Sequence, residues 1–417
     1  MNVLIVDPAL HSRGGHHYTA SERLRHELRR IGITAACLGS AQADAQTRAA
    51  LDCLPVFSRS IYGRQDDDDD RFQAESATTA RELAAALRAL PPPDLLILPC
   101  SDAVLAAAVA RAFRRNRREH RPRVLLWLLY GPHPLKAPND PQVAPRQARA
   151  RQAYAALSAV TEVRAWCETA PMASFWQALV PFRVGVQQGP GLAMPPRAAR
   201  GSVEPPLVSC IGFANRAKGY RLLPGALGEV LPRDPSVRFL VHAIVKGSDA
   251  EDDAPLFDRV AALGDRVVVR HDVLDAGTYA DLLMGTDLLL LPYDPAVYGA
   301  RGSGLFADAK RMGIPVVAPR ACAFPREAFE QGWGVAIESH DPAGLARAIM
   351  AGLARRADLA RCAASAAARE TDGLARLLGD ALAGLPRPAP ARGILPRRFW
   401  PDFARFWRRS PRKEPVC

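Results

Sequence analysis

The chain has 417 residues, 48% of them hydrophobic; this length predicts two domains, and this composition excludes a chain that is disordered throughout. Its 55 lysines and arginines outnumber its 43 aspartates and glutamates, which gives a formal net charge of +12. A positive charge of this size favours acidic partners such as nucleotides, anionic lipid surfaces or nucleic acids, without choosing among them.

The start of the chain and its cysteines indicate a compartment. The first residues, MNVLIVDPAL, lack the basic start and long apolar stretch of a signal peptide, and no apolar run approaches the length of about 18 residues that spans a membrane. The eight cysteines never form a C-x-x-C pair, and several lie in apolar runs, so we expect buried free thiols. We therefore expect a cytoplasmic protein.

Short apolar runs alternate with helical patterns in the first half of the chain. Strands are predicted at 2–7, 94–100, 123–131 and 163–169. Helices are predicted at 19–30 and 103–118. The run Asp66–Asp70 predicts a solvated acidic loop and no metal site, because consecutive residues of a loop do not easily converge on one ion. The Pro- and Gly-rich segment 187–206 predicts a linker between domains.

The same alternation starts again after the linker. Strands are predicted at 206–214, 237–245, 266–273, 287–293, 314–319 and 334–339. Helices are predicted near 220–230, 254–263, 278–284, 304–312, 342–354 and 357–384. The predicted fold class is α/β: two tandem doubly wound, Rossmann-like domains, residues 1–195 and 205–385, that face each other across a cleft.

A linker and a basic aromatic tail follow at residues 386–417. Trp400, Phe403, Phe406 and Trp407 recur on one helical face of segment 394–413, and most of the arginines lie off it. Two interpretations stay open. The segment is either a helix that packs back on the protein, or an anchor on the anionic inner face of a membrane.

The strongest chemical pattern lies in LPYDPAVYGARGSGLFAD, residues 291–308, at the end of a predicted buried strand. Ser303 stands at a helix N-cap position, and Gly302 and Gly304 permit the backbone to approach a ligand closely. The free N–H groups of that helix and the cation of Arg301 favour an anion, and Asp308 is placed to accept hydrogen bonds from hydroxyls. The alternative is a capped helix with a surface aspartate.

Further candidate binding residues follow other predicted strands. Arg216 and Lys218, in GFANRAKG, are cations at the same sheet edge as Arg301, suited to a diphosphate. In the first domain, the segment SRGGHHY contains the candidates Gly14, Gly15 and His16, and the segment YGPHP contains His133. Besides the cations Arg216, Lys218 and Arg301, the candidate binding residues are Gly14, Gly15, His16, His133, Tyr293, Tyr298, Ser303, Gly304 and Asp308.

These motifs resemble GT-B-fold glycosyltransferases of family 4, the "glycosyl transferases group 1" type, over most of residues 1–385. GFANRAKG is similar to the loop of that family that holds the donor diphosphate, and Lys218 takes the position of the family lysine. Asp308 takes the second acidic position of the family's Glu-x7-Glu region, and in that family the residue at this second position binds the ribose. Ala300 stands at the first position, where the family has glutamate, and Phe213 stands where it has arginine.

The resemblance implies a retaining, metal-independent transfer of a hexosyl group from a nucleotide sugar to a glycan or lipid-linked acceptor, with no cofactor. It assigns Arg216, Lys218 and Arg301 to the departing diphosphate. A non-catalytic protein that binds a sugar nucleotide or a partner is the alternative, and Ala300 is its best argument. Nucleic acid is not an expected partner, because aromatic residues are only 7% of the chain and no binding motif is present.

Overall fold

The computed structural model describes residues 1–13, 15–61, 68–115, 121–131, 143–189, 205–244, 250–369 and 373–385. Two parallel sheets form its framework. The predicted two-domain α/β fold is confirmed. Gly14, His133 and the tail 386–417 lie outside the described residues, and so does most of the predicted linker.

The first sheet has the strand order β3-β2-β1-β4-β5-β6-β7. Its strands are β1 (Val3–Val6), β2 (Ala35–Ser40), β3 (Cys53–Phe57), β4 (Leu95–Leu98), β5 (Arg123–Trp127), β6 (Val163–Cys167) and β7 (Val184–Val186). Its helices are α1 (His16–Arg30), α2 (Ala45–Leu51), α3 (Asp69–Ala89), α4 (Ala103–Arg115), α5 (Val143–Ser158) and α6 (Ala170–Gln177). The central strands are buried on both faces, as expected for parallel strands between helical layers.

The second sheet has the order β10-β9-β8-β11-β12-β13. Its strands are β8 (Leu207–Phe213), β9 (Arg238–Ile244), β10 (Val267–Arg270), β11 (Leu288–Leu290), β12 (Val316–Pro319) and β13 (Gly334–Ile337). Its helices are α7 (Leu223–Val230), α8 (Ala250–Ala261), α9 (Ala276–Gly285), α10 (Pro295–Tyr298), α11 (Gly304–Met312), α12 (Arg326–Glu330), α13 (Pro342–Ala354) and α14 (Arg356–Arg369). All six predicted strands of this sheet are present.

The last described helix, α15 (Gly373–Leu382), contacts the first domain. Its apolar side, Leu374, Leu378, Ala381 and Leu382, packs into the core around β1 and α1 of the first domain. Arg123, at the start of β5, donates to the carbonyl of Ala383 at 2.9 Å. Burial of that apolar side holds the helix against the first domain.

Other predictions change in smaller ways. Strands β2, β3 and β7 were not predicted, because their short sequences are rich in Ala and Gly or contain Pro55, none of which favours strands. The described part of the acidic run begins a helix: Asp68 accepts from the Arg71 N–H at 2.8 Å and caps α3, whose first turn holds Asp69 and Asp70. Helix α1 begins at His16, three residues earlier than predicted.

The cysteines agree with the prediction of free thiols. In the described part of the chain seven cysteines are free and six of them are buried. A search of the described helices found none with both the length and the apolar character needed to cross a membrane.

Candidate functional site

The carboxyl ends of the two sheets meet at a short segment after β11, residues 300–302. Thr169, which follows β6, donates from its hydroxyl to the carbonyl oxygen of Ala300. The guanidinium of Arg301 lies 5.1 Å from the ring centre of Tyr130, which follows β5. The cleft predicted between the domains is therefore lined on both sides by residues at strand ends.

Arg301 is the central cation of this cleft. Only 8% of its surface is exposed, and its Nη2 atom is buried without a hydrogen-bond partner. Its neighbours are aromatic: Tyr130 on one side and Tyr298, 5.7 Å away, on the other. Burial lowers the pKa of Arg301, and no carboxylate in the described part of the chain pairs with it. An unsatisfied buried guanidinium is a strong binding position for an anion.

Helix α11 begins directly behind Arg301, as predicted. Ser303 is its N-cap and accepts from the Phe306 N–H at 3.2 Å. A Cβ atom on Gly304 would meet nothing within 4 Å, so this first turn is open to a ligand. Tyr293 is not open in this way: it is buried beneath the site, where it hydrogen-bonds Ser303 and packs 4.5 Å from the Tyr298 ring.

Lys218 reaches the same site from the loop after β8. Asn215 accepts from the Lys218 N–H at 3.1 Å, and the ammonium lies 5.7 Å from the ring centre of Tyr293. Gly219 adopts a φ of 71°, and a Cβ atom there would collide with the Pro292 carbonyl, so glycine holds this loop against the end of β11. Burial lowers the pKa of Lys218 to about 8. Arg216, in contrast, has an exposed side chain.

Asp308 lies one and a half turns into α11 and is buried. Its Oδ2 atom accepts from the hydroxyl of Tyr279, on α9, at 2.9 Å. This contact orients the carboxylate and leaves it acceptor capacity for further hydroxyls.

The first domain contributes the start of α1. Gly15 is the N-cap, with φ 84° and ψ 179°, a conformation that only glycine adopts readily. His16 keeps solvent access, and burial and then the charges of His17 and Lys218 lower its pKa, so that it is neutral at pH 7. The His16 ring lies 6.4 Å from the ring of Tyr130, the residue that contacts Arg301, so His16 lies at the cleft. His17 is buried and contacts Asp7 through Nδ1 at 2.7 Å.

A group able to hold a metal ion is also present in the first domain. The ligand atoms of His16, His17 and Cys100, the last at the end of β4, lie within 4.8 Å of one another. Imidazole and thiolate are ligands that suit zinc-type ions, and the Asp7 carboxylate would orient His17. Sequence analysis missed this group because Cys100 is distant in sequence and its approach depends on strand order.

Sequence analysis also missed Tyr130, Tyr279 and Glu168. Tyr130 and Glu168 lie near the carboxyl ends of the predicted strands 123–131 and 163–169, and Tyr279 lies in the helix predicted near 278–284. Position near a strand end was the available signal. Glu168 follows β6, and burial raises the pKa of its carboxyl to about 7. Its Oε2 atom occupies the position that a Cβ atom on Gly302 would take, so the space left by Gly302 holds this carboxyl group and not a ligand.

Most of the chain resembles several solved structures. Sucrose-phosphate synthase from Thermosynechococcus elongatus superimposes with a TM-score of 0.66 at 13% identity over 91% of this chain and 97% of that chain. HepE from Anabaena, solved in complex with UDP, gives 0.63 at 16% identity over 92% and 100%. The chain has the GT-B fold. No protein-family model matches it, and no curated protein matches its sequence.

The GT-B fold does not by itself decide the reaction. A protein described as a UDP-N-acetylglucosamine 2-epimerase from Listeria monocytogenes superimposes with a TM-score of 0.60 at 13% identity over 93% of this chain and 98% of that chain. Function must therefore be argued from the residues that line the cleft.

Proposed function

We propose that this GT-B protein is a retaining glycosyltransferase that moves a hexosyl group from a nucleotide sugar to a glycan or lipid-linked acceptor. The observation that carries the proposal is the buried guanidinium of Arg301, at the open N-terminus of α11. Among the residues that the structure describes, no carboxylate pairs with it and its Nη2 atom has no hydrogen-bond partner. A buried charge without a partner destabilises the folded protein unless a ligand of opposite charge binds to it. A diphosphate supplies the missing anion.

Each other cleft residue has a part in donor binding under this proposal. Lys218 adds a second cation, and the first-turn N–H groups of α11 bind phosphate oxygens. Asp308, oriented by Tyr279, accepts the ribose hydroxyls. Gly15 and His16 lie across the cleft, on the side where the acceptor enters. Arg216 is exposed and contributes by long-range attraction of the anionic donor.

The proposed chemistry depends on stabilising the leaving group. As the bond between the anomeric carbon and the diphosphate oxygen breaks, negative charge on the diphosphate grows beside Arg301 and Lys218. The acceptor hydroxyl attacks from the same face, and its proton passes to the departing diphosphate. Fixed cations and helix N–H groups in a cleft that excludes water stabilise this charge without reorganisation, so no metal ion is needed at the diphosphate.

The proposal is tested by donor hydrolysis and transfer assays with a panel of UDP-, GDP- and ADP-sugars, after a thermal-shift screen for binding. Arg301→Ala should lower kcat/KM at least tenfold, because hydrogen bonds to charged groups contribute about 1.5–3 kcal/mol each. Arg320→Ala is the matched control: Arg320 follows β12 at the same sheet edge but is exposed and paired with Glu338 at 2.6 Å. Normal turnover in Arg301→Ala would refute the assignment.

The non-catalytic alternative predicts a different result in the same assays. Such a protein would bind a nucleotide sugar through Arg301 and show no turnover with any donor. Ala300 is the residue that favours this alternative, because the resemblance predicts a carboxylate there.

A further inference from the structure

A carboxyl group of the first domain lies against Gly302, in the segment 300–302 that leads into α11. Glu168 follows β6 of the first sheet, whereas Gly302 precedes α11 of the second. A Cβ atom on Gly302 would collide with Glu168 Oε2, and a Cβ atom on Gly189 would collide with Glu168 Oε1. Glycine at both positions thus leaves room for one carboxyl group between two segments of backbone.

The neighbouring residue fixes the position of this carboxyl group. Thr169 donates from its hydroxyl to the carbonyl oxygen of Ala300. The same Thr169 oxygen accepts from the Met172 N–H at 3.3 Å and caps α6. The backbone that carries Glu168 is therefore tied both to its own helix and to the residue that stands where the resembling family has glutamate.

Glu168 has unused capacity to accept hydrogen bonds. In the part of the chain that the structure describes, no lysine, arginine or histidine forms an ion pair with it, and the Gly189 N–H is the protein donor that bonds to it. The Glu168 side chain is half-buried, and an ionised carboxylate accepts about four hydrogen bonds. A ligand rich in hydroxyl groups would satisfy the remaining oxygen lone pairs.

We propose that Glu168 binds hydroxyl groups of the transferred sugar and replaces, from the first domain, the carboxylate that Ala300 does not provide. The inference rests on the proposed function, since it assumes that Arg301 holds the donor diphosphate. The sugar is bonded directly to that diphosphate, and Gly302, against which Glu168 packs, is the residue after Arg301. Hydroxyl groups on the sugar therefore lie within reach of Glu168, whereas a free nucleoside diphosphate has no sugar at this position.

The test separates the sugar from the nucleotide. Glu168→Gln keeps the size of the side chain and removes its charge. Binding of UDP, GDP and ADP to this variant should stay within about twofold of wild type in calorimetry. The kcat/KM for the matching nucleotide sugar should fall about tenfold to a hundredfold, because each charged hydrogen bond contributes that much. Glu162→Gln, at the exposed other end of β6, should change neither quantity.

Thermal unfolding distinguishes a binding role from a structural one. If Glu168 binds substrate, Glu168→Gln should unfold at the wild-type temperature or above it, because a half-buried carboxyl without an ion-pair partner among the described residues is removed. An equal loss of UDP and UDP-sugar binding with a lower melting temperature would overturn the inference, and so would an unchanged kcat/KM. Failure of the wild-type protein to bind any of these nucleotides would instead overturn the proposed function, and the inference with it.

Discussion

The guanidinium of Arg301 and the ring of Tyr130 face each other across the interdomain cleft, 5.1 Å apart. One residue follows a strand of the second sheet and the other follows a strand of the first. The contact holds the proposed diphosphate-binding cation against an aromatic face while its Nη2 atom stays without a hydrogen-bond partner. Arg301 is thereby positioned before any anion arrives.

Removing this ring should weaken nucleotide binding. We expect Tyr130→Ala to reduce the affinity for UDP about twofold to thirtyfold, since a cation–π contact contributes about 0.5–2 kcal/mol. Tyr130→Phe keeps the ring and should bind UDP nearly as well as wild type. Titration calorimetry compares the three proteins, and equal losses in the two variants would show that the hydroxyl, and not the ring, is what matters.

The lowered pKa of the half-buried Lys218 predicts a pH dependence of stability. Burial lowers its pKa to about 8, below the ordinary value of 10.5, so between pH 8 and 10.5 the unfolded chain binds more protons than the folded chain. The free energy of unfolding should therefore rise with pH in this window, by about 1–2 kcal/mol between pH 7.5 and 9.5. Lys218→Met should lack this part of the rise in urea unfolding.

Lys310→Met is the control for that experiment. Lys310 lies on α11 and pairs with Glu327 at 2.8 Å, outside the cleft. Its removal should leave the pH slope of the wild type in place. A slope that is the same in wild type and Lys218→Met would contradict the assignment of the rise to Lys218.

Two glycines beside Arg301, Gly302 and Gly304, should differ in how replacement by alanine changes the stability of the protein. Gly302→Ala places a Cβ atom against Glu168, and overpacking of this kind costs about 1–3 kcal/mol of stability. Gly304→Ala meets no neighbour and should leave stability unchanged or slightly raised, yet weaken UDP binding, because its methyl group enters the proposed phosphate space. Thermal unfolding and calorimetry measure the two effects.

A double variant identifies the cause of the first effect. Adding Glu168→Ala to Gly302→Ala removes the group that collides, so part of the lost stability should return. If the double variant is as unstable as the sum of the two single variants, the collision is not the reason for glycine at 302.

Metal removal should not abolish transfer. The cations that face the proposed diphosphate are Arg301 and Lys218, so we expect donor turnover to survive dialysis against a chelator. Metal analysis of the purified protein, and of Cys100→Ser, reports whether the group of His16, His17 and Cys100 holds an ion. Turnover that is lost on chelation and restored by zinc, but not in Cys100→Ser, would contradict metal-independent transfer.

Local sequence patterns were sufficient to predict many of the strands and helices of the second domain. The segment 287–293, with its run of four leucines, is apolar enough to predict a buried strand, and the structure places β11 at Leu288–Leu290. Ser303 and Gly313 bound a helix that the structure places at Gly304–Met312. N-cap and C-cap preferences act over a few residues, so the sequence alone determined where α11 begins and ends. The same patterns placed Arg301, Lys218 and Asp308 at one sheet edge.

Only the tertiary structure decided which residues meet across the cleft. Glu168 and Gly302 are 134 positions apart, and no local periodicity connects them. Their contact depends on the strand order of two sheets and on how the sheets face each other, and so does the contact of Tyr130 with Arg301. The position of helix α15 was likewise decided by the tertiary structure. Its apolar stripe predicts that one face is buried, but the sequence does not say whether that face packs against α1 or against the second domain. The hydrophobic effect is non-directional, so composition and periodicity determined that these surfaces are buried, and the packing of the whole chain decided against what.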